Sequence, residues 1–222
     1  MTKTILITGA TDGIGLLTAQ KLAAAGHTVL LHGRSPDKLA RAADDIGGTT
    51  ETYVADLSDL EQTAAFADEV LAKHDRLDAL INNAGVLRVP NPVTSSGIDA
   101  RFVVNTLAPY VLTQRLLSII PKTGRVVNLS SAAQAPVDVA AMTRGASMDH
   151  MEAYAQSKLA ITIWTQELAK TLPTGPAIIA VNPGSLLASK MVKEGFGSAG
   201  NDLSIGADIL IKAALDDSFA DK

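Results

Sequence analysis

Tyr154 and Lys158 stand four positions apart at the head of an apolar run, Leu159 to Trp164, that continues in helix-forming residues to Lys170. On a helix, positions four apart share a face, one turn from each other. That spacing sets the Lys158 ammonium beside the Tyr154 ring. A phenol with its ordinary pKa near ~10 is a poor proton shuttle at neutral pH. A neighbouring cation favours phenolate and lowers that pKa. Lowering it by about 3 units takes roughly 4 kcal/mol of differential stabilisation. An ordinary amphipathic helix also carries a Tyr and a Lys at this spacing, so the pair alone leaves both readings open.

Two further features suit the same chemistry. The serines Ser130 and Ser131 end an apolar run, Arg125 to Leu129. A hydroxyl there can donate to a carbonyl oxygen while Tyr154 gives or takes the proton. Asn105 lies in the apolar stretch Phe102 to Leu107, a poor place for Asn in a helix. Pro109, four residues on, has no N–H, so the Asn105 carbonyl loses its helical donor and can hold a water. The alternative for Asn105 is a kinked structural helix with its amide satisfied.

Alternating elements must position these groups. Thr4–Thr8, His27–His32, Thr52–Ala55, Leu77–Asn82, Arg125–Leu129 and Ala177–Val181 read as strands. Between them lie helical patterns over about 13–25, from the Ser35-Pro36 cap, from Ser58 to about Lys73, about 99–119 and within 147–171, with a last one over 203–215. Strands apolar throughout, alternating with helices, predict an α/β fold: a doubly wound parallel sheet of Rossmann type in three layers, α/β/α. Ligands in such sheets bind beyond the strand C-termini. Small and polar residues gather there: Thr8-Gly9, His32-Gly33-Arg34, Asp56, Asn82 to Gly85, Ser130-Ser131 and Asn182-Pro183-Gly184. The turn Thr8-Gly9-Ala10-Thr11-Asp12-Gly13-Ile14-Gly15 lets backbone approach a pyrophosphate, with the N–H groups of the following helix aimed at the anion. A carboxylate about 20 residues past such glycines suits NAD, whereas an Arg accommodates a 2′-phosphate. Here Gly33 is followed by Arg34, with Lys38 nearby and Asp37 opposing it. That reads as NADP(H) in preference to NAD(H).

Together these motifs resemble the classical short-chain dehydrogenase/reductase family. Its glycine pattern is matched by Thr8, Gly9, Gly13 and Gly15. Its Asn-Asn-Ala-Gly is matched by Asn82 to Gly85, and its Ser, Tyr-x-x-x-Lys and Pro-Gly turn by Ser131, Tyr154, Lys158, Pro183 and Gly184. The matches run in order over most of the chain. The resemblance selects Ser131 over Ser130 as the carbonyl-polarising serine. It implies that Tyr154 is the acid/base, that Lys158 lowers its pKa and binds the nicotinamide ribose, and that Asn105 anchors a relay water. Cofactor contacts are implied for Gly9, Thr11, Asp12, Gly13, Ile14, Gly15 and Arg34, for Asp56 and Leu57 near the adenine, and for Asn83, Ala84 and Gly85 near the adenosine ribose. Tyr154, Lys158, Pro183, Gly184 and Ser189 complete the set, Ser189 replacing the usual Thr against the carboxamide. The stretch between Ser131 and Tyr154 is longer than in most relatives and is similar to the retinol-dehydrogenase-like branch, as is Ser157-Lys158-Leu159-Ala160. It is expected over the substrate mouth, its apolar residues touching substrate or packing. A lid is expected over about 185–205, from Gly195, Gly197 and Gly200. Such chains usually continue into a seventh strand. Either this chain lacks it or the protein continues past Lys222.

Composition narrows the alternatives. The 222 residues suit one domain, 1–222, with 47% hydrophobic and only 4% aromatic residues, hence an aliphatic core. The net charge of −4 gives no nucleic-acid footprint. There is no Cys, which excludes disulfides and thiolate chemistry and fits a cytoplasmic location. No apolar run has the length of a membrane span. His27, His32, His74 and His150 lack metal-ligand spacing and read as structural or surface, so no metal is expected. The helices 150–171 around Leu159 to Trp164 and 99–119 from Phe102 to Leu117 are apolar on nearly all sides, and the resembled family pairs these two helices across a homodimer or homotetramer. The expected substrate is a small carbonyl or alcohol. A catalytically silent NADP-binding sensor on the same fold is the main alternative. An epimerase or dehydratase usually needs a longer chain.

Overall fold

The structure, a computed structural model, describes residues 1–144, 148–185, 187–188, 191, 197 and 200–220. Six parallel strands among them form one sheet: β1 Thr4–Ile7, β2 Thr28–Gly33, β3 Thr49–Val54, β4 Ala79–Asn82, β5 Arg125–Leu129 and β6 Ala177–Val181. Their order is β3-β2-β1-β4-β5-β6, so the direction of winding switches between β1 and β4. The helices are α1 Gly13–Ala24, α2 Pro36–Ile46, α3 Leu60–Lys73, α4 Ala100–Phe102, α5 Ala108–Leu116, α6 Val139–Arg144, α7 His150–Thr171 and α8 Leu203–Leu215.

Period-two alternation in buried strands sends successive side chains to opposite helical layers. Ile5, Ile7, Val29 and Leu31 pack with Leu22 of α1 and Leu210 of α8. Leu6 and Leu30 face the other way, with Phe66 of α3 and Leu112 of α5, and Trp164 of α7 packs against that cluster. The expected three-layer fold is therefore what the chain adopts. The boundaries differ in places. Strand β3 starts at Thr49, earlier than the apolar residues suggest, because Thr49 to Val54 pair in register with the whole of β2. Asp59, rather than Ser58, caps α3, its carboxylate accepting from the Glu61 and Gln62 N–H groups. The helix expected over 99–119 is interrupted by a π-helical turn, Val103–Leu107, in which the Ala108 N–H bonds the Val103 carbonyl. The wide turn lies immediately before Pro109, whose ring cannot fit the regular ladder. Among the described residues, no helix is long and apolar enough to cross a membrane.

Candidate active site

A cleft of about 890 Å³ opens across the C-terminal ends of β1, β2, β4, β5 and β6. Its floor is the turn after β1. Gly9 has φ +68° and Gly13 φ +57°, in the left-handed region that glycine alone enters readily. A Cβ at Gly15 would fall 2.3 Å from the Gly9 carbonyl oxygen, so Gly15 serves the close packing of helix on turn and does not itself line the cleft. Asn83 braces the turn from β4: its side-chain amide donates to the carbonyls of Thr8 (2.9 Å) and Gly9 (3.1 Å). The Thr8 hydroxyl accepts from the Asn83 and Ala84 N–H groups, both at 3.0 Å. The Asp12 carboxylate accepts from the Gly13 N–H at 2.7 Å and caps α1 from the cleft edge.

Sequence reasoning gave His32 a structural reading, and its role is specific. Buried in β2, it accepts from the Gly9 N–H at Nδ1 (3.2 Å) and its Nε2 meets the Ala55 carbonyl (3.1 Å). Burial lowers its pKa to about 4, so it is a neutral ring that ties the ends of β1, β2 and β3 beneath the cleft. Beyond it, Arg34, Ser35 and Lys38 line one end of the cleft, with Asp56 and Leu57 beside them. Asp56 accepts from the Ser58 N–H (2.9 Å) and hydroxyl (2.8 Å). Thr11, Ile14, Ala84, Gly85, Pro183 and Gly184 also line the cleft. Ser189 lies outside the described residues, as does most of the expected lid. At the base of that segment, Leu187 bridges Asn201, and the Ala188 N–H bonds the Asn201 carbonyl at 2.7 Å.

Tyr154, Ser131 and Lys158 converge where β5 ends under α7. The Ser131 hydroxyl stands close enough to the Tyr154 phenol to favour its phenolate, and it accepts from the Ala133 N–H at 3.1 Å. Ser130 points into the helix instead, 2.6 Å from the Thr162 hydroxyl and 3.2 Å from the Lys158 carbonyl. Lys158 is buried, donates to the Leu129 carbonyl at 2.6 Å, and has its Nζ 5.7 Å from the centre of the Tyr154 ring. Burial opposes both charged forms. It raises the Tyr154 pKa, an effect partly offset by the Ser131 hydroxyl, and it lowers Lys158 to about 8. The lowered phenol expected from the sequence rests on Lys158 together with a cationic cofactor ring; in the chain alone burial sets the direction and the phenol is raised.

Asn105 is buried and does not line the cleft. Its side chain, not its freed carbonyl, makes the connections: Oδ1 accepts from the Val86 N–H (2.8 Å), and Nδ2 donates to the Val86 carbonyl (2.9 Å) and the Ser157 hydroxyl (3.0 Å). A Cβ at Gly85 would lie 3.4 Å from Asn105 Oδ1 and 3.6 Å from Lys158 Nζ, so the two groups face one glycine. Sequence reasoning missed the polar seam that docks α7: Asn128 on Thr165 (2.9 Å), Ser130 on Thr162, and Thr106 on the Ser157 carbonyl (2.8 Å). Hydroxyl residues scattered through an otherwise apolar helix were the available signal. The expected place of the 131–154 stretch also changes. Its described residues tie back to α7, through Ala135 N–H to the Ala155 carbonyl (3.3 Å) and Asp138 N–H to Gln156 (2.9 Å). Among its described residues, Ala132 and Ala133 alone line the cleft between Ser131 and Tyr154, and Val86 to Thr94 form much of the mouth.

Residues 3–197 match the family described as short chain dehydrogenase. The chain belongs to the short-chain dehydrogenase family. Among its relatives is human retinol dehydrogenase 13, 37% identical over 195 residues, which are 82% of this chain and 58% of that protein. The chain thus spans little over half the length of that relative. A solved structure from Mycobacterium paratuberculosis superposes with a TM-score of 0.81 at 33% identity, covering 97% of this chain and 77% of the other. A metagenomic short-chain oxidoreductase in complex with NADP gives 0.74 at 30% identity, over 99% and 94%. The chain thus belongs to an oxidoreductase family, and its structural neighbours include an NADP complex.

Proposed function

We propose that the chain is an NADP(H)-dependent oxidoreductase that interconverts a carbonyl and an alcohol, with Tyr154 as the acid/base. The observation carrying this reading is the meeting of the Ser131 hydroxyl, the Tyr154 phenol and the buried Lys158 ammonium at one point of a dinucleotide-sized cleft. The residues fit the cofactor. The glycine turn brings backbone close at the floor, and a Cβ at Gly9 would already touch Ala84 Cα at 3.0 Å. Arg34, Ser35 and Lys38 would hold a 2′-phosphate, Asp56 and Leu57 the adenine end, and Tyr154 with Lys158 the second ribose. The bound cofactor supplies or accepts the hydride.

This chain's residues handle the oxygen and the proton. Ser131 donates to the substrate oxygen and holds it against Tyr154. Burial keeps the phenol protonated at neutral pH, ready to give its proton to an oxygen gaining negative charge. Lys158 then offsets the phenolate left behind. On the far side of Ser131 the described wall is uncharged: Val86, Leu87, Val89, Pro90, Val93 and Val104. That wall suits an uncharged substrate with an apolar body, and the name of the human relative supports an alcohol as one member of the couple.

Tyr154→Phe keeps the ring and removes the proton. It is expected to abolish NADPH-dependent reduction of a carbonyl panel, followed at 340 nm, while NADPH binding by fluorescence titration stays within about twofold and remains tighter than NADH binding. Retained turnover in the variant would remove Tyr154 from the chemistry. Tight NADPH binding by a wild-type protein that turns over no substrate would favour the sensor reading.

A further inference from the structure

Arg101 is a fully buried large side chain with 0% exposure, and it lies outside the cleft. Its Nε donates to Asp99 Oδ1 at 2.8 Å and its Nη2 to Asp99 Oδ2, a two-toothed pairing of guanidinium with carboxylate. The remaining arm, Nη1, meets His150 Nδ1 at 2.7 Å. A guanidinium cannot accept a hydrogen bond, so Nδ1 is the acceptor and His150 carries its proton on Nε2. His150 is the first residue of α7, and Tyr154 and Lys158 follow at spacings of four on the same face.

The other end of this contact reaches the cleft wall. Asp99 bridges Val93, the Ala100 N–H bonds the Pro92 carbonyl at 2.7 Å, and the Thr94 N–H bonds the Ile98 carbonyl at 2.9 Å. Val93, Thr94 and Ala100 line the cleft. One buried guanidinium therefore joins the wall at the mouth to the first turn of the helix that presents Tyr154. First turns are where helices fray, because their N–H groups lack helical partners. Asp149 caps two of those groups, Met151 and Glu152, but gives the turn no lateral anchor to the cleft wall.

We infer that Arg101 is a positioning residue for Tyr154, acting through His150. This rests on the reading of Tyr154 as the proton-transfer group. The Arg101–His150 contact fixes the first turn of α7 so that the phenol stays against Ser131, and a displacement of about 1 Å at such a site can cost ~10²-fold in rate. The contact is on α7, whereas the groups proposed for the 2′-phosphate and the adenine (Arg34, Lys38, Asp56) are on other elements, so it acts mainly on turnover and touches cofactor affinity only through the ribose contact of Tyr154.

Removing Arg101 strands a buried carboxylate and can unfold the chain, so the test uses His150. His150→Leu removes the acceptor, whereas His150→Asn returns an acceptor oxygen close to the Nδ1 position. In His150→Leu, kcat should fall about tenfold with the Kd for NADPH near wild type, and the Tm should drop by roughly a few degrees because one buried guanidinium arm loses its acceptor. Amide hydrogen exchange in the first turn of α7 should rise. His150→Asn should restore kcat to within about twofold and restore the protection. Wild-type kcat and exchange in His150→Leu, or no rescue by His150→Asn, would overturn the inference. If the wild type turns over no carbonyl, the proposed function fails on its own, and the exchange measurement still decides whether this contact holds the turn.

Discussion

At the scale of the residue, burial and charge compete within one helical turn. Tyr154 and Lys158 were legible as a pair because their spacing places them on one helical face. The balance between them was not, because desolvation depends on what α7 packs against. Burial raises the phenol and lowers the ammonium to about 8. The sign for activity follows. Under the proposed function, reduction needs a protonated Tyr154 and a charged Lys158 to offset the phenolate it becomes. Below pH 8 both conditions hold. Above it Lys158 is neutral while the phenol is still protonated, so the offset is lost first. NADPH-dependent reduction should therefore hold steady through neutral pH and decline as pH rises through about 8. Lys158→Met should lower kcat by about 10²-fold below pH 8, by progressively less above it, and abolish that decline. A pH profile of kcat for the two proteins checks this; an unchanged alkaline limb in the variant would exclude Lys158 as its source. Asn105 shows the same limit of legibility. Its oddness in an apolar helix was visible, but which of its atoms makes the bonds depends on Val86 and Ser157, far away in sequence.

At the scale of the element, the site is a set of strand ends, and what holds those ends together matters as much as what they display. The strand ends were readable because parallel buried strands are apolar until they reach the ligand side. The brace beneath them was not readable. His32 looks like any strand residue, and its partners Gly9 and Ala55 belong to neighbouring strands. Its neutrality makes the sheet acid-sensitive. The unfolded ring has a pKa near 6.5, while the folded one sits at about 4. Between those values the unfolded chain binds the proton and the folded chain does not, so stability falls as pH drops from 6.5 towards 4. The gap corresponds to roughly 3 kcal/mol at full protonation. Urea unfolding at pH 7 and pH 4.5 should show wild type losing about 2.5 kcal/mol more than His32→Asn, with the carboxylates common to both proteins cancelling in the comparison. Equal losses in the two proteins would mean that His32 is not the acid-sensitive tie. The π-helical turn before Pro109 is of the same kind: Pro109 announced a break, but only the docking of Asn105 and Thr106 on α7 sets its form.

At the scale of the whole molecule, the question is which surface is left for another copy. The sequence shows α5 and α7 apolar on nearly all sides, more than one sheet face can cover. The structure hides most of that surface: Leu112 and Leu116 of α5 and Ile161 of α7 are buried. Gln166, Glu167 and Lys170 make part of the outer face of α7 polar. What remains outside is Tyr110 at 44% exposure and Ile163 at 45%, with Tyr110 edge-on to Trp164 at 5.5 Å between ring centres. The patch is narrower than the sequence implies, but a two-fold axis doubles it, since each residue is buried once on each copy. Burying an isoleucine stabilises by about 1.5–3 kcal/mol when complete, and these side chains are half-way there already. Two copies of the remaining half then contribute roughly 1.5–3 kcal/mol, or about 10- to 100-fold in the dimer dissociation constant. Ile163→Glu should weaken self-association by at least that factor, because it also places like charges across the axis, and should leave the Tm and NADPH binding unchanged. Sedimentation across a micromolar concentration series measures it. A wild-type monomer throughout that range would remove this face from any assembly, and a dimer unaffected by Ile163→Glu would place the contact on another surface.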